Sequence, residues 1–255
     1  MELEVIKKLA MLAGRAILDV YNTDFSVDYK DDNSPLTKAD CLSHEIILDG
    51  LSGAFSGIPV ISEETGRQEG YKTRSKWSSF WLVDPLDGTK EFVKRNGEFT
   101  VNIALIENSY PVMGVIYVPV TGVLYYASRG GGAWKRTPGV SGDQQIHARR
   151  MMPDKPVVVV TSRSHPSKEL EKYLEAYSVK SVLSAGSSLK FCLVAEGRAD
   201  IYPRLGPTME WDTAAGQTIV EEAGGRVLDM DGRRFIYNKE SLKNGHFIVE
   251  GAKDK

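Results

Sequence analysis

Scarcity is the first signal in this sequence. Its 255 residues include two cysteines, Cys41 and Cys192, far apart in the chain. No CxxC or Cys/His spacing of the zinc-binding kind occurs, so neither a zinc module nor a disulfide framework is supported, and two reduced thiols are expected. The four histidines, His44, His147, His165 and His246, show no HxxH or HExxH spacing. Walker A and GxGxxG sequences are also missing. No apolar run approaches the ~18 residues of a transmembrane helix, so no membrane-spanning segment is expected. Glu2, Glu4, Lys7 and Lys8 interrupt the N-terminal apolar positions, unlike a secretory signal, and a cytoplasmic protein is expected.

An excess of one charge is lacking too. There are 32 Lys+Arg against 34 Asp+Glu, a formal net charge of −2. A chain that grips nucleic acid by general electrostatics carries a basic excess, so nucleic acid is not an expected partner. What is present, 42% hydrophobic and 26% charged residues, is ordinary for a soluble globular protein and excludes disorder and collagen. The length suits one large domain or two small ones.

Leu3, Ile6, Leu9, Ala13, Ile17 and Val20 recur at helical spacing, which predicts an amphipathic helix over residues 1–21. A second helix from Thr37 or Lys38 carries Ile46, Ile47, Leu48 and Leu51. Pro59 to Ser62 reads as a short strand ending at Glu63-Glu64, and residues 65–76 as a polar loop. Phe80-Trp81-Leu82-Val83 reads as a buried strand that stops at Asp84-Pro85. Strands near 99–107, 112–118 and 123–128 follow. The polar stretch 137–155 is the candidate boundary between an N-terminal α+β unit, residues 1–150, and a C-terminal α/β unit, residues 151–255. Beyond it, Val157 to Val160 reads as a strand buried on both faces, Lys168 to Tyr177 as a helix, and Val182-Leu183 as a short strand. Ser187 or Ser188 can cap a helix ending at Gly197. A strand at Ala199–Tyr202, a helix at Thr213–Ala223 and a hairpin around Asp231-Gly232 complete an α/β chain.

Acids gather where these elements end. Asp84 and Asp87 bracket Pro85-Leu86 directly after an apolar strand, and Gly88 permits a tight turn. Such a turn can aim two carboxylates and a carbonyl at one point, a set of hard oxygen donors suited to Mg²⁺. Its ordinary alternative is an Asx turn, in which Asp bonds its own backbone. Glu63-Glu64 also follows a strand, Asp212 precedes the small-residue helix, and Asp40 stands near the start of the second helix. Each alone is a cap or a solvated charge. Together, at the ends of rigid elements, they mark a candidate site.

Glu63-Glu64, Asp84-Pro85-Leu86-Asp87-Gly88-Thr89 and Trp211-Asp212-Thr213-Ala214-Ala215-Gly216 resemble the paired signatures of the inositol monophosphatase superfamily, in the same order and over nearly the whole chain. Asp84 to Phe92, Lys94 to Asn102, Ser187 to Gly197 and Tyr202 to Thr208 are similar to its bacterial 3′(2′),5′-bisphosphate nucleotidase branch. Inositol phosphatases usually have Thr-Asn after the Gly-Thr, where this chain has Lys90-Glu91.

The resemblance implies a layered αβαβα sandwich and a lithium-sensitive, Mg²⁺-dependent phosphomonoesterase. Its substrate would be 3′-phosphoadenosine 5′-phosphate, cleaved to AMP and phosphate, with 3′-phosphoadenylyl sulfate as a further candidate. It implies one Mg²⁺ held by Glu63, Asp84 and the Leu86 carbonyl, a second held by Asp84, Asp87 and Asp212, and a third through water near Glu63. Asp40 and Thr89 would orient and activate the attacking water, and the Gly88–Thr89 backbone would bind the phosphate. Gly186, Ser187, Lys190 and Arg204 match nucleotide-contact positions for the distal phosphate, and His165 is a candidate base or ribose contact. The alternatives are an inositol or sugar monophosphatase of the same fold, or an inactive regulator, which the retained acids disfavour. Monomer and homodimer both stay open. Ser187 and Lys190 also form an SxxK pattern, but the SDN and KTG motifs that accompany it in serine acyl-transfer enzymes are missing.

Overall fold

A computed structural model describes residues 2–29, 35–65, 68–152, 154–163 and 168–253. In chain order the elements begin with α1 (Glu2–Tyr21), the short pair β1 (Asp28–Tyr29) and β2 (Pro35–Leu36), α2 (Lys38–Ala54), β3 (Val60–Ser62) and α3 (Tyr71–Arg74). Next come β4 (Ser79–Asp87), α4 (Thr89–Val93), β5 (Thr100–Glu107), β6 (Tyr110–Val118), β7 (Val123–Ser128), β8 (Ala133–Arg136) and β9 (Gln144–Ile146). The remainder is β10 (Val157–Ser162), α5 (Lys168–Leu174), β11 (Val179–Ala185), α6 (Leu189–Ala195), β12 (Ile201–Arg204), α7 (Glu210–Glu222), β13 (Arg226–Asp229) and β14 (Phe247–Glu250).

Two sheets organise these elements. The first has seven strands in the order β3-β4-β5-β6-β7-β8-β9, with β3 parallel to β4 and the other pairs antiparallel. The second has five in the order β11-β10-β12-β14-β13, parallel on the β11 side and antiparallel on the β13 side. Helices α1 and α2 pair on one face of the first sheet; α6 and α7 lie between the two sheets. Leu174 of α5 packs against Val157, Val159 and Ile201, closing the outer face of the second sheet. The layers therefore run αβαβα.

Strand alternation explains how each sheet serves two layers. Trp81 and Val83 of β4 pack with Ile6, Ala10 and Ile47 of the outer helices, whereas Phe80 and Leu82 face Ala214 and Ile219 of α7. The four-valine run divides likewise: Val158 and Val160 turn inward, Val157 and Val159 outward. One core joins Ile116 of the first sheet, α7 and Val249 of the second.

Several local readings of the sequence are sharpened. The polar loop 65–76 contains α3, whose Arg74 is buried and donates to the carbonyls of Glu69, Lys239 and Glu240 and to Asn238 Oδ1. Polar 137–155 holds β9, paired antiparallel with β8. Strand β13 pairs with β14, far along the chain, and the expected hairpin around Asp231-Gly232 is a short one, closed by the Leu228–Arg234 bridge and by the Asp229 N–H to Arg233 O and Phe235 N–H to Val227 O bonds. Helix α7 starts at Glu210, so Asp212 belongs to its first turn rather than preceding it.

Candidate active site

The acidic motif is shaped by a β-bulge. In the β4–β5 ladder Asp84 faces Asn102 and Asp87 faces Thr100, so β4 carries one extra residue between them. Pairing thus continues past Asp84, where the sequence led us to expect the strand to stop. Pro85 has no N–H to leave unpaired, and its carbonyl accepts the Ser43 hydroxyl at 2.6 Å. The Asp84 carboxylate accepts the Leu86 N–H at 3.1 Å, so the Asx turn is real and coexists with the acidic cluster. Gly88 leaves the bulge at φ +92°, a left-handed conformation that glycine adopts without steric cost, and α4 follows.

Three elements bring the carboxylates together. Glu63 follows β3, parallel to β4, and its N–H donates to Val83 O at 3.1 Å. Asp212 comes from α7, where its Oδ2 accepts the Met209 N–H at 2.7 Å. Oxygens of Glu63, Asp84 and Asp212 all lie within 4.8 Å of one another. Burial first, then the neighbouring carboxylates, pushes Asp84 and Asp212 well above the usual carboxylate range. Asp87 stands beside this trio; burial raises it to about 6, against the opposing pull of Lys190 and the Asn102 Nδ2 bond at 3.2 Å. Such a cluster is self-repelling, and an all-oxygen donor set of this kind fits a hard divalent cation.

Asp40 and Thr89 meet at its margin. Asp40 Oδ2 accepts the N–H and the hydroxyl of Thr37, both at 2.7 Å, locking the first turn of α2. Its Oδ1 accepts the Thr89 hydroxyl at 3.2 Å, and Thr89 Oγ1 lies 3.4 Å from Leu86 O.

One cleft of about 510 Å³ is lined by Glu63, Asp84, Leu86, Asp87, Gly88, Thr89 and Asp212, and equally by Gly186, Ser187, Lys190 and Arg204. Lys190 is 5% exposed; its ammonium donates to the carbonyls of Ala185 and Ser187, and burial lowers it to about 8 although Asp87 pulls the other way. Arg204 donates to Pro207 O at 2.9 Å, while its buried Nε has no partner among the described residues. A further hollow of about 330 Å³ shares Ser162, Tyr202, Arg204 and Pro207 with the cleft and reaches His246.

Several expectations need adjusting at this wall. Ser188 occupies the N-cap position of α6 but makes no side-chain capping bond: its Oγ bonds Asn102 and Thr100, while Ser187 Oγ donates to Glu98 O at 3.0 Å. The Gly186 N–H is taken by the Glu98 carboxylate at 2.8 Å. His165 lies outside the described residues. Lys243, missed in the sequence, lines the cleft because the Met209–Lys243 bridge draws its loop against the start of α7. No local pattern marks it, since its neighbour there is more than thirty residues away.

Comparison with known proteins accords with this arrangement. The inositol monophosphatase family model matches residues 2–253. The 3′(2′),5′-bisphosphate nucleotidase CysQ of Salmonella typhimurium is 50% identical over 250 residues, 97% of this chain and 98% of that protein. Its counterpart of the same description in Escherichia coli K12 is 48% identical over the same shares. The crystal structure of CysQ from Bacteroides thetaiotaomicron, described as a bacterial member of the inositol monophosphatase family, superposes with a TM-score of 0.84 at 44% identity, covering 98% of each chain. By whole-length sequence match and by fold alike, the chain belongs to the inositol monophosphatase family.

Proposed function

We propose that this protein is a Mg²⁺-dependent 3′(2′),5′-bisphosphate nucleotidase that hydrolyses the 3′-phosphate of 3′-phosphoadenosine 5′-phosphate to AMP and phosphate. The observation that carries the reading is the doubled character of the cleft wall. Carboxylates that suit metal and Lys190 with Arg204 face the same space. An ester with one phosphate needs only the first; a bisphosphate nucleotide uses both, and the hollow beside Arg204 offers room for its nucleoside. Relatives at 48–50% identity carry the nucleotidase description over nearly their full length.

In this reading Glu63, Asp84, the Leu86 carbonyl, Asp87 and Asp212 hold the cations. When bound, they neutralise the carboxylates, lower the pKa of water and stabilise the charge of the in-line displacement. The residues of the chain do the rest. Thr89 Oγ1 takes a proton from the attacking water as its own proton passes to Asp40 Oδ1, the leaving 3′-oxygen is protonated from solvent, and Thr37 keeps Asp40 from turning away. Gly88 and Thr89 bind the scissile phosphate; Ser187, Lys190 and the free Nε of Arg204 bind the distal one. Phosphate release is measured from the bisphosphate nucleotide and from inositol 1-phosphate, with Mg²⁺ and with excess EDTA. Faster turnover of the nucleotide, lost in EDTA and restored by Mg²⁺, is expected. Faster turnover of the inositol ester sinks the assignment, and undiminished activity in EDTA sinks the metal chemistry.

A further inference from the structure

Glu98 stands in the turn between α4 and β5 and touches no catalytic group. Its side chain nevertheless ties three segments together. The carboxylate accepts a two-point grip from Arg163, Nε to Oε2 and Nη2 to Oε1, both at 2.7 Å. Oε2 also accepts the Gly186 N–H at 2.8 Å, and the Glu98 carbonyl accepts the Ser187 hydroxyl at 3.0 Å. Arg163 is anchored in turn, donating from Nη2 to Ser184 O at 2.8 Å and from its N–H to Ala185 O. The Arg163 guanidinium first, then the Gly186 N–H, holds the Glu98 carboxyl below its ordinary range, so the grip is ionic near neutral pH.

The backbones it joins have no slack. A Cβ on Gly186 would lie 2.7 Å from Glu98 O and 2.8 Å from Glu91 Cγ. A Cβ on Gly88 would lie 3.2 Å from Ser187 Cβ and 3.3 Å from Glu98 O. Ser187 is held at φ +43°, a conformation that a non-glycine residue keeps only when its surroundings impose it. The two carbonyls that seat the Lys190 ammonium, Ala185 and Ser187, flank the Gly186 amide that Glu98 captures.

We propose that Glu98, gripped by Arg163, is a positioning residue that sets the spacing between the Gly88–Thr89 turn and the Ser187–Lys190 corner, and through it the preference for esters that carry a second phosphate. The proposal rests on the nucleotidase reading. Two anions on one rigid ligand need two receptors at a fixed separation, and small displacements of either weaken binding steeply. A ligand with a single phosphate is indifferent to that separation.

Steady-state kinetics of the full chain with 3′-phosphoadenosine 5′-phosphate and with adenosine 3′-phosphate test it, in wild type, Glu98→Gln, Glu98→Ala and Arg163→Gln. Glu98→Ala should raise KM for the bisphosphate about tenfold or more with kcat nearly unchanged, and leave kcat/KM for adenosine 3′-phosphate within about twofold. Glu98→Gln, which keeps an acceptor for Gly186, should fall between wild type and Ala. Arg163→Gln should shift KM in the same direction by less, and it carries the test if the Glu98 variants do not fold. Equal losses on both substrates, or no change on either, overturn the proposal. A wild type that does not favour the bisphosphate removes the nucleotidase reading, and the selectivity role with it, before any variant is compared.

Discussion

The acidic and the basic walls of the cleft are built on opposite terms. Carboxylate oxygens of Glu63, Asp84 and Asp212 crowd within 4.8 Å, and bonds to Val83 O, Leu86 N–H and Met209 N–H fix the segments that carry them. Lys190 is satisfied from within by two carbonyls, and its corner is strapped by Glu98 and Arg163. One wall is a crowd of like charges suited to a cation; the other seats its Lys190 ammonium on two carbonyls and leaves the Arg204 Nε for an anion.

The largest expected effect breaks the acidic wall. Asp84→Asn keeps an oxygen that can accept the Leu86 N–H but removes a charge from the cluster. Hydrolysis should fall by about 10³-fold or more, on the scale of losing a principal electrostatic group. Melting in EDTA should stay level or rise, because like charges are relieved. A variant that melts well below wild type in EDTA would mean that the cluster is structural. The next effect belongs to the basic wall. If Lys190 holds the distal phosphate as proposed, Lys190→Met removes a charge-assisted bond of order 1.5–3 kcal/mol, so kcat/KM for the bisphosphate nucleotide should drop roughly 10- to 150-fold. The drop for adenosine 3′-phosphate should be smaller, and equal drops would show that Lys190 serves Asp87 rather than the distal phosphate.

The smallest effect comes from a charged cluster outside the cleft, which serves as the reference. Asp143 bonds Arg136 twice at 2.7 Å and accepts the Tyr126 hydroxyl, with Lys7 nearby. The Arg136 bonds, then the Tyr126 bond, hold its carboxyl down to about 2. Because the folded value is depressed, its contribution is present above the ordinary range near 3.8 and is lost as pH falls towards about 2. Asp143→Asn should cost at most about 1 kcal/mol near neutral pH, as partly exposed ion pairs do, and flatten the melting profile between those two pH values. Activity should not change.

How much of this could be read in the sequence follows the range of each interaction. Asp84, Asp87 and the turn at Gly88 sit in one short motif after an apolar strand, so their convergence was legible locally. The bulge was not, because it is defined by the register of Asn102 and Thr100 on another strand. Asp212 was found, yet placed before its helix, since Met209 supplies no side-chain cap to mark the start. Strand β14 was hidden because its few residues gain meaning only between β12 and β13. Glu98, Arg74 and Lys243 act through partners tens of residues distant, and no periodicity encodes such pairs.

Helix α7 gives the metal site a second meaning. It brings Asp212 from deep in the second half of the chain to Glu63 and Asp84 from the first. Cations held between these carboxylates would tie residue 63 to residue 212 and so close a loop of more than half the chain. Because the site exists only when the fold brings these segments together, such cations would bind the folded chain alone and stabilise it by mass action, an effect that a chelator withdraws. The concentration of the divalent cation would then set the stability of the fold as well as the rate.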